Sequence, residues 1–167
     1  MKTADLLPYL SNAFLLLLPI LAFNVLFMRF LPHDYQVNVF WKEIPAWIAI
    51  TENLLRVPVF LLPLVMRLRI STPSQKLGLG LYVAGSLVYF VAWGAQILFP
   101  MTAWSTSMVG FMAPAFTPVL FLVGIGLIGD TLTLPKVPYK PWVYWGLSGA
   151  FMVFHNVHAG LVYIRKG

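Results

Sequence analysis

The chain has 167 residues, 60% of them hydrophobic and 10% charged, and it contains no cysteine. Soluble domains carry roughly 25% charged residues, so a soluble globular enzyme and a disordered segment are excluded, as is any disulfide or thiolate scaffold. The net charge of +6 is scattered over positions flanking apolar runs, which fits cations at membrane surfaces and leaves no basic stripe for nucleic acid.

Five apolar runs predict an all-α, polytopic integral membrane helical bundle of about five transmembrane helices, a single domain over 1–167. The opening resembles a secretory signal with Lys2 as its charged head, but the apolar run from Leu6 to Leu31 is too long and lacks a small-x-small site. It therefore reads as the lead-in to span one, 10–30, which holds Pro19 and Asn24. Span two, 44–66, holds Glu52, Asn53, Arg56, Pro58 and Pro63; span three, 77–98, has no proline. Span four, 107–128, carries Pro114 and Pro118 and then Gly124 and Gly126, with Gly129 just beyond; span five is 142–164. Prolines remove helix hydrogen bonds, so spans one, two and four are expected to be kinked. Pro114 and Pro118 also allow a re-entrant segment over 110–118, which would leave four full spans and move the carboxyl end to the other side.

The longer loops, 32–43 and 130–141, are too short to fold alone, so a catalytic domain outside the membrane is not expected. Tyr35, Phe40, Trp41 and Trp47 near one face, and Tyr139, Trp142, Tyr144 and Trp145 near the other, occupy positions suited to an interfacial aromatic belt. Lys2, Arg67, Arg69, Lys76, Lys136 and Lys140 fall on one side, and Arg29, Lys42, Arg165 and Lys166 on the other. This asymmetry puts the amino terminus in the cytoplasm of a bacterial inner membrane or its equivalent.

Three groups carry potential chemistry. Glu52 and Arg56 lie near the middle of span two with the acid four residues ahead, the better orientation for a helical ion pair. Charges at that depth are paired, or mark a site, or do both. His155 and His158 share a face of span five with Tyr144 and Ser148, forming a polar ladder. A metal site would need further ligands from His33, Asp34, Glu43 or Glu52, a weak spacing signal, and no metal is assigned. Tyr82, Ser86, Tyr89, Trp93 and Gln96 form one stripe of span three. That stripe either lines an interior cavity or packs as core with its polar tips on freed carbonyls. Ser105 or Ser107 is suited to cap the start of span four, and the span-four glycines read as close helix approach.

Length, span count and tryptophan content are similar to the translocator-protein family, whose Trp- and Pro-rich motifs are not found here. Glu52 followed by Pro58 and Phe60 resembles the acidic, proline-containing second helix of the sterol-isomerase and sigma-2-receptor superfamily. That resemblance, confined to one short stretch, implies a pocket for sterol-like amines; Arg56 departs from the pattern, and membership is not assigned.

The leading expectation is an intramembrane pocket that binds or transports a small apolar or amphipathic molecule: a lipid, a sterol-like compound or a cofactor of unknown identity. It would be lined by Glu52, Asn53, Arg56, Tyr82, Tyr89, Trp93, Gln96, Tyr144, Ser148, His155 and His158. Besides the bilayer and that ligand, a homo-oligomer or a larger membrane complex is a possible partner. Two alternatives stand beside the pocket: an accessory subunit of such a complex, and an isomerase-like enzyme using Glu52 and His155 as the midplane acid and base.

Overall fold

In the computed structural model, which describes residues 11–134 and 137–166, the chain is helical, and the described residues form no strand. Helix α1 is Leu17–Phe27, flanked by 3-10 turns at Ala13–Leu16 and Met28–Phe30. Asn12 caps the first turn, its Oδ1 accepting from the Phe14 amide at 3.1 Å. A short α2, Val37–Phe40, interrupts the following loop, and α3 is Ala46–Leu61, with Pro58 inside it and a 3-10 turn at Leu62–Leu64. Helix α4, Pro73–Leu98, begins with a reciprocal cap: Thr72 Oγ1 accepts from the Gln75 amide and Gln75 Oε1 from the Thr72 amide.

The short α5, Ala103–Thr106, leads through Ser107 into α6, Met108–Phe116, and Ser107 Oγ accepts from the Gly110 amide at 3.1 Å. Helix α7, Pro118–Ile128, follows α6 with only Thr117 between them. Pro118 has no N–H to return to the preceding turn. Thr117 bridges the step, with its amide and hydroxyl both donating to the Ala113 carbonyl, the hydroxyl at 2.7 Å. Helix α8 is Pro141–Lys166, with Pro141 at its first position and Arg165 and Lys166 in its last turn.

Five segments, Ala13–Phe30, Ala46–Leu64, Pro73–Leu98, Met108–Ile128 and Pro141–Lys166, are long and apolar enough to cross a membrane. They match the runs expected from sequence to within a few residues. Val25, Leu54, Val91 and Ile164 are exposed among many apolar side chains on the outside of the bundle.

Helix α4 packs most closely on α7, and α8 packs against α3, α6 and α7. The α4–α7 contact is made by backbones. A Cβ on Gly85 would lie 2.5 Å from the Phe121 nitrogen, and one on Gly124 would lie 2.5 Å from the Gly78 oxygen. Helix α1 reaches α4 through long side chains: the Tyr82 hydroxyl donates to the Leu16 carbonyl at 2.8 Å, and the Tyr89 hydroxyl to Asn24 Oδ1 at 2.7 Å. Phe23 adds ring contacts with Phe90 and Trp93.

The two ends of the bundle are closed differently. At one end, backbone bonds from Ala13 to Met66, Arg67 to Thr131, Leu68 to Ser11 and Thr133 to Val65 stitch three connections together. At the other, the loop around 33–43 is held down by side chains from α8, and this loop roofs the candidate site.

Candidate functional site

Glu52 is the centre of the polar arrangement and is fully buried. On a helix its carboxylate shares a face with Arg56 one turn later, and α3 turns that face toward α8. Arg56 Nη2 donates to Glu52 Oε1. His155 Nδ1 meets the same oxygen at 3.0 Å, and His158 Nδ1 meets Oε2 at 2.6 Å. The two carboxyl oxygens therefore have three polar contacts from two helices, the kind of satisfaction that a buried acidic group requires.

The network also fixes where protons sit. His158 Nε2 lies 2.9 Å from the Phe40 carbonyl, which can only accept, so Nε2 carries a hydrogen. The 2.6 Å contact between His158 Nδ1 and Glu52 Oε2 needs a proton too, since two facing lone pairs would repel. Whether that proton rests on oxygen or nitrogen, Glu52 and His158 together sum to zero charge. His155 donates through Nδ1, and its Nε2 makes no hydrogen bond among the described residues. Phe151 stacks on the His155 ring with centroids 5.4 Å apart at 10°, fixing its plane.

Arg56 is half-buried, and Nη1 donates to Asn53 Oδ1 at 3.2 Å. Its guanidinium lies 5.5 Å from the Trp41 ring centroid and 5.8 Å from that of Phe151, cation–π distances that favour a charge in a partly dry site. Of five N–H groups, two are used by Glu52 and Asn53. Among the described residues no second carboxylate pairs with Arg56; Asp34 is taken by Lys166 at 3.1 Å and Glu43 by Lys42 at 3.5 Å.

Next to this network is a cavity of about 380 Å³, lined from all five long segments and from the 31–41 loop. Arg56, His155 and Trp41 make one part of its wall polar, and Asn24 and Tyr35 add polar groups elsewhere; most of the rest is apolar, including Leu17, Ile20, Val59, Phe121 and Leu122. Tyr89 and Trp93 also line it. The Trp93 side chain is buried, and its Nε1 meets no hydrogen-bond acceptor among the described residues.

The roof comes from the loop. Phe40 and Trp41 pack on the His158 ring with centroids 4.4 and 4.5 Å away. Arg165 donates to the Val39 carbonyl at 2.7 Å and to that of Lys42. The Tyr35 hydroxyl donates to the Phe111 carbonyl at 2.7 Å. Burial, reinforced by neighbouring Asp34, raises the ionisation of that phenol far above the ordinary range, so it stays a donor.

The sequence-derived candidates divide into groups. Glu52, Arg56, His155 and His158 form one network, with Asn53 at its exposed edge, bracing Arg56 and donating to the Ala49 carbonyl. Tyr89 and Trp93 line the cavity together with Arg56 and His155, whereas Glu52 and His158 stand behind its wall. Gln96 serves a different purpose, donating to the Ser105 and Gly110 carbonyls where α5 turns into α6. Tyr82 ties α4 to the start of the first segment. Tyr144 and Ser148 are buried on α8 away from the main cavity, Tyr144 beside Gly126 and Ser148 at a small void between α7 and α8.

His33 is exposed, and among the described residues no group of three or more His, Asp or Glu is arranged to hold a metal ion. Both histidine nitrogens that face Glu52 belong to protonated contacts. Glu52, in contact with Arg56, His155 and His158, stands behind the cavity wall rather than on it.

Sequence reasoning left Asn24, Tyr35, Phe40 and Trp41 out of the site. The three aromatics were read as belt residues, yet they fold inward as the roof. Asn24, a lone amide inside an apolar span, was a usable signal. Comparison of the chain with protein-family profiles, curated proteins and solved structures finds no match.

Proposed function

We propose that this chain is a multi-pass membrane protein, a single bundle inserted with its amino terminus cytoplasmic and bent at the prolines of its first, second and fourth spans. Its internal cavity binds or transports a small apolar or amphipathic molecule. The observation that carries this reading is the cavity itself. At about 380 Å³ it falls in the range of small-molecule sites, roughly 300–1,000 Å³, and it combines apolar walls with a few convergent polar groups. The apolar exterior of the bundle supports insertion.

Native mass spectrometry of gently extracted protein tests the reading, with a co-purified small molecule or lipid as the expected result. A protein partner in fixed stoichiometry, with no small molecule retained, would favour an accessory subunit instead. A second reading, proton-transfer catalysis on the bound molecule, is favoured by one arrangement: His155 is oriented through Nδ1 by Glu52 and leaves Nε2 unbonded in the cavity-lining ring. Turnover by His155→Gln equal to that of the unaltered protein, for any substrate found, would dismiss it.

A further inference from the structure

We infer that the cavity takes a single-tailed mono-anion, a carboxylate head seated on Arg56 and His155 with its alkyl chain among the apolar side chains; this rests on the pocket reading above. Glu52 and His158 cancel wherever their shared proton lies, because the Phe40 carbonyl fixes the second imidazole hydrogen. His155 in its neutral form adds nothing. Arg56 is then left with one positive charge that no other described carboxylate meets, and protonation of His155 would only add to it.

A cationic head would therefore face a positive wall, and a neutral one would leave the charge uncompensated in a site flanked by Trp41 and Phe151. A single negative charge brings the site to neutrality; a dianion overshoots. The planar guanidinium, with N–H groups left beyond Glu52 and Asn53, matches a carboxylate in shape as well as sign.

The test uses the full chain in lipid nanodiscs at mildly alkaline pH. Trp41 and Trp93 report on the cavity by quenching with tail-brominated amphiphiles of one chain length: dodecanoate, dodecanol, dodecylammonium and dodecyl phosphate. The expected result is saturable quenching in which dodecanoate binds at least about tenfold tighter than the alcohol or the amine, since a charge-assisted hydrogen bond is roughly twice as strong as a neutral one. Arg56→Gln should remove that preference while leaving tail binding.

Saturable binding with no preference for the anion would overturn the mono-anion inference and leave the pocket reading standing. Tighter binding of dodecyl phosphate would overturn the single-charge assignment. Absence of saturable quenching by every probe would overturn the pocket reading and the inference with it. If Arg56→Gln fails to fold, the comparison of head groups on the unaltered protein decides the matter.

Discussion

Glu52 and Arg56 should prove unequal partners. Replacing Glu52 with Leu removes the acceptor used by Arg56, His155 and His158 and leaves the Arg56 guanidinium without its buried carboxylate partner. Leaving one member of a fully buried pair unmatched costs about 3–5 kcal/mol, and because the Arg56 side chain is 35% exposed the loss here should lie toward the lower end. Replacing Arg56 with Met is milder, because Glu52 keeps both histidines and the Glu52–His158 unit is already neutral. The loss there is chiefly one hydrogen bond to a charged group, about 1.5–3 kcal/mol. In the double variant no charge is stranded, so its cost should fall short of the sum by about 1 kcal/mol or more, within the usual range for coupled neighbours. Equilibrium unfolding in mixed micelles, followed by tryptophan fluorescence, measures all three. The reasoning is refuted if Arg56→Met costs as much as Glu52→Leu, or if the two effects simply add.

Further expectations concern packing, pH and sidedness. Gly124→Ala should destabilise by about 1–3 kcal/mol through overpacking, since its Cβ would meet the Gly78 oxygen at 2.5 Å, whereas Gly80→Ala, with nothing within 4 Å, should be tolerated; equal melting temperatures for the two variants would contradict the backbone contact. Tyr139, donating to Met66 Sδ, has its ionisation pushed up from 10.0 to about 12 by burial and then by Asp130. The folded state thus keeps a proton that the unfolded chain has lost, so stability is full below about pH 10 and declines as pH rises through about 12. Phenolate absorbance in native and unfolded protein checks this, and superimposable titrations would disprove it. Reporter fusions at Gly167 should place the carboxyl end outside; a cytoplasmic signal there would refute the odd number of crossings.

The helices were legible in the sequence because apolar runs of spanning length have few alternatives, and because Ser107 is a recognisable start signal. Helical spacing also brought Glu52 onto one face with Arg56, and His155 onto one face with His158. What spacing cannot supply is the neighbour that each turn meets. Tyr144 and Ser148 continue the face of His155, yet a few turns along α8 that face lies against α7, where Gly126 leaves room for it. The Phe40 carbonyl, which fixes the protonation of His158, is a main-chain group and has no side-chain signature. Trp41 and Tyr35 were ambiguous for a different reason: an aromatic residue at a span end suits a membrane interface and a cavity roof equally well, and it takes the tethers from Arg165, His158 and Lys166 to turn this loop inward.

The glycine-mediated contact of α4 with α7 bears on how the cavity can change size. With main chain close against main chain at Gly78, Gly85 and Gly124, that seam has little room to give, so this pair behaves as a stiff backplate. Compliance is left to the opposite side, where α1 is fastened to α4 by tyrosine tips on Leu16 and Asn24 and by the rings around Phe23. A bulkier guest would be accommodated on the side-chain-mediated α1 side of the cavity, against the backplate that carries Tyr89 and Trp93.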